Sequence, residues 1–413
     1  MEKTKDFFQE KNTVLENSKR YLLAVQHLIA MFGATVLVPL LTGFNVRTAI
    51  FCAGCGTLLF HFCTKKKVPV FLGSSFAFIP VIQMVAKTSG LAYAQGGIIV
   101  AGFIYVLLAY FIHLKGSSWF IKLFPAQVVG PMIIVIGLNL IPTAYTMASG
   151  QLIIALVTLS SCLAFQLLSK GFLKQMSIIL SILIGYAAAI LFKIVDFTPI
   201  VQADVFSLPP FTFPKFSLYG ITTIAPVVVA VFMEHIGDIT TNSYVVGQNF
   251  LKDPGLHRTL LGDGLATMFA GFLGGPANTT YGENTGVLAV TKNYDPSILR
   301  ITAVMAILLS TVGKIGACLQ TIPVPVMGGI SLVLFSMISL IGVRTLKNAH
   351  ILWSIKNIFI IGTILILGLG SHFGLNLSIP ITQEVSFSGL SLAALVGVVL
   401  NGLFTLWETK LSK

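Results

Sequence analysis

The sequence predicts an all-α polytopic membrane protein of 14 transmembrane segments, built as two inverted seven-span repeats. Three observations lead there. The 413 residues are 55% hydrophobic and only 10% charged, against about a quarter charged in a soluble domain. Apolar runs of the roughly 20 residues that cross a bilayer recur from Tyr21 to Trp407. Landmarks in the first half return 208 residues later, at about half the chain length.

Taken in order, residues 1–20 form a polar segment of mixed charge (Lys3, Asp6, Glu10, Lys11, Glu16, Arg20). The apolar run behind it is long enough to span, so no cleavable signal peptide is evident. Spans are expected at 21–41, 48–64, 68–86, 92–114, 119–142, 151–169, 174–194, 221–248, 258–274, 276–291, 298–321, 325–343, 350–370 and 386–408. The third and tenth are short and interrupted by Gly and Pro, as in the discontinuous helices that form binding sites at mid-membrane.

Charge orients these spans. With the N-terminus in the cytoplasm, Lys65-Lys66-Lys67, Lys115, Lys170, Lys174, Lys252, Arg258, Lys292, Arg300, Arg344 and Lys347 fall on the cytoplasmic side. The external loops include 140–150, without charge, and 196–214, with two acids. That asymmetry follows the positive-inside rule, with Lys87 and Lys215 as exceptions. The even span count returns Lys410 and Lys413 to the cytoplasm, so both termini of a multi-pass cell-membrane protein are expected inside. Topology thus accounts for the net charge of +12, and nucleic acid is excluded as a partner; the lipid bilayer takes that place. Cys52, Cys55, Cys63, Cys162 and Cys318 lie inside apolar runs. Cys52-x-x-Cys55 has no second pair and reads as small-residue helix packing.

The repeat rests on three matches. Gln26-His27 in the first span corresponds to Glu234-His235 in the eighth. At the same offset Gly54-Cys55-Gly56 lands on Gly262-Asp263-Gly264, and Gly73-Ser74-Ser75-Phe76 on Tyr281-Gly282-Glu283-Asn284. Seven spans per half is odd, so the second copy enters the membrane upside down, with a ligand near the midplane between the copies.

Acids mark the candidate site. Of 14 acidic residues none lies between Asn17 and Val195, whereas Glu234, Asp238 and Glu283 sit in apolar or turn-rich spans. A charge at mid-bilayer costs about 2.5–3.5 kcal/mol on insertion scales, so three need a reason. Glu283 lies in the polar stretch from Asn278 to Gly286, beside Tyr281, Gly282 and Asn284. It reads as an acceptor for ring N–H donors of a small ligand, or more plainly as a first-turn helix acid favoured by the macrodipole. Glu234 and Asp238 are i and i+4, on one helix face. Two carboxylates in low dielectric repel, which makes the pair a proton-coupling device; the plainer alternative has Asp238 bonding Thr241 or Ser243. Gln26 and His27 read either as ligand contacts or as support. Gly73 to Phe76 would open the third span with free backbone N–H groups for a ligand carbonyl, and Phe76 can stack on a flat ring.

The remaining features are plainer. His61, His113, His350 and His372 lie near span ends, where interfacial solvation explains them. Gly328-Gly329, behind Pro323 and Pro325, predicts a bend and close helix packing. No phosphate loop, metal-ligand spacing or nucleophile elbow is present, so neither enzyme activity nor a metal or cofactor is expected.

At these residues the sequence resembles the nucleobase–ascorbate transporter family, and within it the bacterial uracil permease branch. Gln26-His27 is similar to the family's QH motif. Glu283-Asn284-Thr285-Gly286, followed after four residues by Thr291-Lys292, fits its signature of Glu or Gln, Asn, any residue, Gly, four residues, Thr, then Lys or Arg. The likeness runs through 26–39, 69–78, 234–238, 253–258, 278–292 and 322–329. It implies a core domain (21–114 and 216–321, spans 1–4 and 8–11) and a gate domain (115–215 and 322–413, spans 5–7 and 12–14). It further implies a homodimer and proton-driven nucleobase import by alternating access. Carried over by position, Glu234 and Glu283 match substrate-binding acids, and Phe76 and Gly282 match backbone contacts where broken spans 3 and 10 cross. Ser75 and Tyr281 flank those contacts; Gln26, His27 and Asn284 support them.

Glutamate at 283, where purine-type members usually carry glutamine, resembles the uracil branch. One position departs: the uracil permeases compared have His where this chain has Asp238. The proton-coupling role is therefore given to Asp238, Glu234 or Glu283, with no choice among them. The resemblance thus implies a proton-coupled symporter importing uracil. The alternative is a xanthine or other purine permease of the same family, and Na⁺ stays open because Glu234 and Asp238 are hard oxygen ligands. An anion exchanger of the sulfate or bicarbonate type is disfavoured by two acids at the centre of its site.

Overall fold

The computed structural model describes residues 2–116, 125–349, 354–375, 377–380 and 386–411. In chain order the main elements are α1 (Glu2–Thr42), α2 (Val46–Cys63), β1 (Leu72–Ser74), α3 (Ile79–Thr88), α4 (Leu91–Lys115), α5 (Ala126–Ser149), α6 (Leu152–Leu168) and α7 (Ser177–Leu191). There follow α8 (Leu218–Val246), α9 (Leu256–Leu273), β2 (Asn278–Thr280), α10 (Gly282–Thr291), α11 (Pro296–Ser310), α12 (Val324–Asn348), α13 (Ile355–Leu369) and α14 (Gly389–Leu411). Among the described residues 8 helices are long and apolar enough to cross a bilayer. The shorter apolar ones are Phe76–Thr88, α6, α7 and α11. α9 interrupts its apolar faces with Arg258 and Asp263, and α10 carries Glu283 in ten residues.

Several expectations are corrected. The stretch 140–150, expected as an external loop, is mostly helix: α5 runs through Pro131 and Pro142 to Ser149, and only Gly150 and Gln151 part it from α6. The eleventh span, expected over 298–321, ends at Ser310, and a separate helix Gly313–Gln320 follows. Broken spans 3 and 10 each begin as a strand rather than a helix. β1 and β2 pair antiparallel, Leu72 with Thr280 and Ser74 with Asn278, and a second ladder joins Ser378–Pro380 to Ser386–Ser388. The chain is therefore mainly but not wholly helical. His350 and the starts of spans 5 and 13 lie outside the described residues.

Packing sorts the helices. α9 lies against α4 and α2, α2 against α11, and α1 against α11 and α2. Apart from these, α12 packs along α5 and α6, while α13 contacts α14 and α5. Gly328 and Gly329 do bring helices close, as expected: a Cβ there would collide with the backbone at Ala148 and Ala155. Phe78, Val81 and Ile82 join Val128, Met132 and Ile136 of α5 and Val231 of α8 in the largest apolar cluster. His61 is not solvated as expected. It is buried, with Nε2 3.0 Å from the Val70 carbonyl.

Candidate functional site

The site is built where β1 and β2 cross. Each strand is too short to stand alone, and buried side chains brace both. Thr57 accepts from Leu72 N–H (2.9 Å), Thr267 donates to Asn278 O (2.8 Å), and Asn278 donates to Cys52 O (3.0 Å). The ladder continues one residue past each strand: Ser75 N–H donates to Ala277 O (2.8 Å) and Tyr281 N–H to Phe71 O (3.0 Å). The Ser75 amide, expected to be free for a ligand, is thus consumed, and so is that of Tyr281. Ser75 and Tyr281 occupy the N-cap positions of the two half-helices, without side-chain capping bonds. The next amides, of Phe76 and Gly282, are not taken by any described loop or turn bond, as expected for the first residues of a helix.

The cap positions also depart from the expected 208-residue offset. Ser75 and Tyr281 differ by 206 residues, not 208, so Phe76 corresponds to Gly282 and not to Asn284. Tyr281 is buried in an apolar cluster with Met31 and Phe71. Its hydroxyl donates to Ser74 O (2.9 Å) and accepts from Thr35 (3.4 Å). Gly73 leaves room for that ring, which a Cβ would strike. The Ser75 hydroxyl is buried without a protein partner.

Carboxylates gather around this crossing. Asp238 on α8 accepts from the Thr280 hydroxyl (2.8 Å), and not from Thr241 or Ser243, which bond helix carbonyls. Its other oxygen faces Gly282. Glu234, Glu283 and Asp263 all lie within electrostatic reach of Asp238. Asp263 was missed from sequence. It is fully buried on α9, and its carboxylate meets His235 Nδ1 at 2.9 Å while His235 Nε2 meets the Thr259 hydroxyl at 2.9 Å. Its flanking glycines, Gly262 and Gly264, were visible, but they pack α9 against Phe60 and Tyr105. Asn242 was likewise missed; it ties α8 to α10 through Thr285 (3.2 Å) and to Pro69 O (3.0 Å).

His27 and Asn284 come together. The Asn284 carboxamide donates to His27 Nδ1 and to His27 O, each at 3.1 Å, and both residues are buried. Gln26 is half-buried, with its side-chain oxygen unpartnered among protein atoms. The structure thus links α1 to α10 through His27 and α8 to β2 through Asp238.

A cavity of about 500 Å³ opens at this point. Phe76, Ala77, Glu234, Gly237 and Asp238 line one wall. Val129, Ile133 and Ile136 of α5, Ile338 and Ile341 of α12, and Arg344 and Thr345 line the cavity as well. Glu283, Gly282, Ser75 and Tyr281 are not among the residues lining it. Two carboxylates, Glu234 and Asp238, among apolar side chains and beside the Phe76 ring at a helix start suit a flat ligand that both donates and accepts hydrogen bonds. Among the described residues no group of three His, Cys, Asp or Glu side chains is arranged to hold a metal.

Comparison with known proteins agrees with the motifs. The model of the Permease family (Xan_ur_permease) matches residues 18–377. The probable uracil permease of Pasteurella multocida is 42% identical over 395 residues, covering 93% of both chains. The uracil permease of Escherichia coli K12 is 39% identical over 396 residues (93% of this chain, 91% of that one). That of Bacillus subtilis is 40% identical over 399 residues (92% and 91%). In three dimensions the chain is similar to SLC26A9, with TM-score 0.72 at 13% identity over 94% of this chain and 65% of that one. It is also similar to the transmembrane domain of the cyanobacterial bicarbonate transporter BicA, with TM-score 0.61 at 14% identity over 92% and 96%. At such identities the likeness concerns the fold alone. The chain belongs to the Permease family, as a multi-pass membrane transporter and not an enzyme.

Proposed function

We propose that the protein is a proton-coupled symporter that imports uracil across the cell membrane. The observation that carries this reading is the cavity in which Phe76, Glu234 and Asp238 meet beside the strand crossing. Uracil alternates N–H and C=O groups around a planar ring. Glu234 and Glu283 accept from its N–H groups, the Phe76 and Gly282 amides donate to its C=O groups, and Phe76 covers one face. Hydrogen bonds to charged groups contribute about 1.5–3 kcal/mol each, so two of them dominate recognition in a small site. Relatives about 40% identical carry the name uracil permease, and Glu283 suits their branch.

Fourteen spans in two inverted sevens, with a core of spans 1–4 and 8–11 and a gate of spans 5–7 and 12–14, are the architecture we propose. The packing supports that division, since α1, α2, α4, α9 and α11 contact one another and α5, α6, α12 and α13 do likewise. Alternating access is supported by a second cavity of about 440 Å³, lined by Gln83 and Lys87 of α3 and Thr222 of α8 together with Asn139 of α5, His372 and Ser391 of α14. With both termini cytoplasmic, Arg344 marks the inner cavity and Lys87 the outer. Asp238 with Glu234 takes up the coupled proton when the substrate binds, and the gate helices assemble as a homodimer.

The test is radiolabelled uracil uptake into proteoliposomes of the purified protein under an inward proton gradient without sodium. Concentrative uptake that collapses with a protonophore is the expected result. Uptake only with sodium, or competition by xanthine in preference to uracil, would replace the coupling ion or the substrate.

A further inference from the structure

A crevice of about 450 Å³ lies on the outer surface of the α1–α2–α11 group, away from the cavities described above. Arg20 of α1 and Arg300 of α11 line it together with the Ser297 hydroxyl. Arg20 bonds Asp295 (3.1 Å) and Ser297 through one terminal nitrogen, yet its Nε is buried without a partner. Arg300 likewise has a buried terminal nitrogen without a partner. Asp295 is the acid at this spot. Partial burial pushes its carboxyl up, but its Ser297 bonds and the charges of Arg20 and Arg300 outweigh this and hold it below the usual range. It therefore stays ionised, and among the described side chains two guanidinium groups face one carboxylate.

Apolar surface begins where the charges end. Val304 lies one helical turn beyond Arg300 on the same face of α11 and is 47% exposed, and Leu58 of α2 also lines the crevice. Tyr21, 55% exposed, stands at the first residue of the apolar run of α1, the level at which tyrosine anchors a membrane protein. Guanidinium donors at the interface, with aliphatic side chains running from them toward the membrane interior, match a phosphate with an acyl chain attached.

We propose that this crevice binds the headgroup of an anionic phospholipid, with the phosphodiester on Arg20 and Arg300 and an acyl chain along Leu58 and Val304. The bound lipid ties α1 to α11 at the membrane surface, about two helical turns before His27 reaches Asn284. The proposal needs only a membrane-embedded chain, so it stands whether or not uracil is the substrate.

The test uses the purified full-length protein, delipidated in detergent. Native mass spectrometry with equimolar phosphatidylglycerol and phosphatidylcholine reads the preference, at about fivefold for each interfacial cation engaged. Preferential phosphatidylglycerol adducts, and a rise in unfolding temperature with that lipid, are expected for the wild type. Arg300→Gln should lose most of both, and Arg300→Lys should retain part. Equal occupancy by the two lipids, or an undiminished response in a folded Arg300→Gln protein, overturns the proposal. Inorganic phosphate or glycerol phosphate is expected to leave the unfolding temperature unchanged. A shift with either equal to that of the lipid would make this a soluble-phosphate site and overturn the lipid assignment.

Discussion

The two arms of the strand crossing share a backbone and divide the chemistry. Each is a three-residue strand, a capping residue and the start of a half-helix. The first arm carries Ser74, Ser75 and Phe76, and the second carries Thr280, Tyr281, Gly282 and Glu283. The neighbouring helices divide in the same way: His27 on α1 meets a neutral amide, whereas His235 on α8 meets Asp263. No acid lies between Asn17 and Val195, and Glu234, Asp238, Asp263 and Glu283 all belong to the second half. A shared backbone plan therefore does not require shared side chains. One arm can offer amides and an aromatic face while the other bears the whole cost of burying charge, a cost that rises steeply with each ion in low dielectric.

The sharpest way to break this comparison is at Glu283. If the second arm carries recognition, Glu283→Gln lowers uracil uptake by about tenfold to a hundredfold, the value of one hydrogen bond to a charged group, or turns uptake toward purines. Ser75→Ala on the first arm should change uptake only slightly. Initial rates of labelled uracil uptake for the two variants decide it, and unchanged uptake in Glu283→Gln would remove that residue from the site.

A second, smaller effect is expected at the pair Asp263 and Cys55, which the 208-residue offset places in register. Asp263→Asn leaves the buried His235 imidazole with a weaker partner and should cost about 1–3 kcal/mol, read as a lower unfolding temperature in detergent. Cys55 is a free, half-buried thiol. Cys55→Ala removes little volume and should stay within about 1 kcal/mol. Equal losses would mean that Asp263 is no more than another packing position.

What was legible in the sequence follows from the same physics. Glu234, Asp238 and Glu283 stood out because an acid in an apolar run demands an explanation, and all three lie within electrostatic reach of one another. Asp263 carries the same cost, but between two packing glycines it resembled a helix contact, and its partner His235 is 28 residues away on another helix. The crossing itself was expected as broken helices. Three-residue strands have no periodicity to detect, and their pairing comes from Thr57, Thr267 and Asn278 on other elements. The 206-residue spacing of Ser75 and Tyr281, against the 208 expected, was hidden for the same reason, since the segments ahead of the two strands (64–71 and 274–277) differ in length. α5 runs past the expected end at 142 because Pro142 lies inside the helix, which packs along α12.

The smallest expected effect separates the hydroxyls of the two strands. Thr280 donates to the Asp238 carboxylate at 2.8 Å, whereas Ser74, its counterpart at the 206-residue offset, reaches the Thr35 carbonyl at only 3.4 Å. A short bond to a carboxylate is the stronger of the two, and losing it leaves a costly acceptor without its donor. Thr280→Val should therefore cost about 1–2 kcal/mol in the unfolding measurement and raise the uracil KM, because Asp238 shares a wall of the cavity with Glu234. Ser74→Ala should cost about 0.6 kcal/mol, the average for a polar contact between membrane helices, and leave KM unchanged. If Ser74→Ala proves as damaging as Thr280→Val, the hydroxyls serve the ladder rather than the acid, and the division of labour between the arms would then begin only at the half-helices.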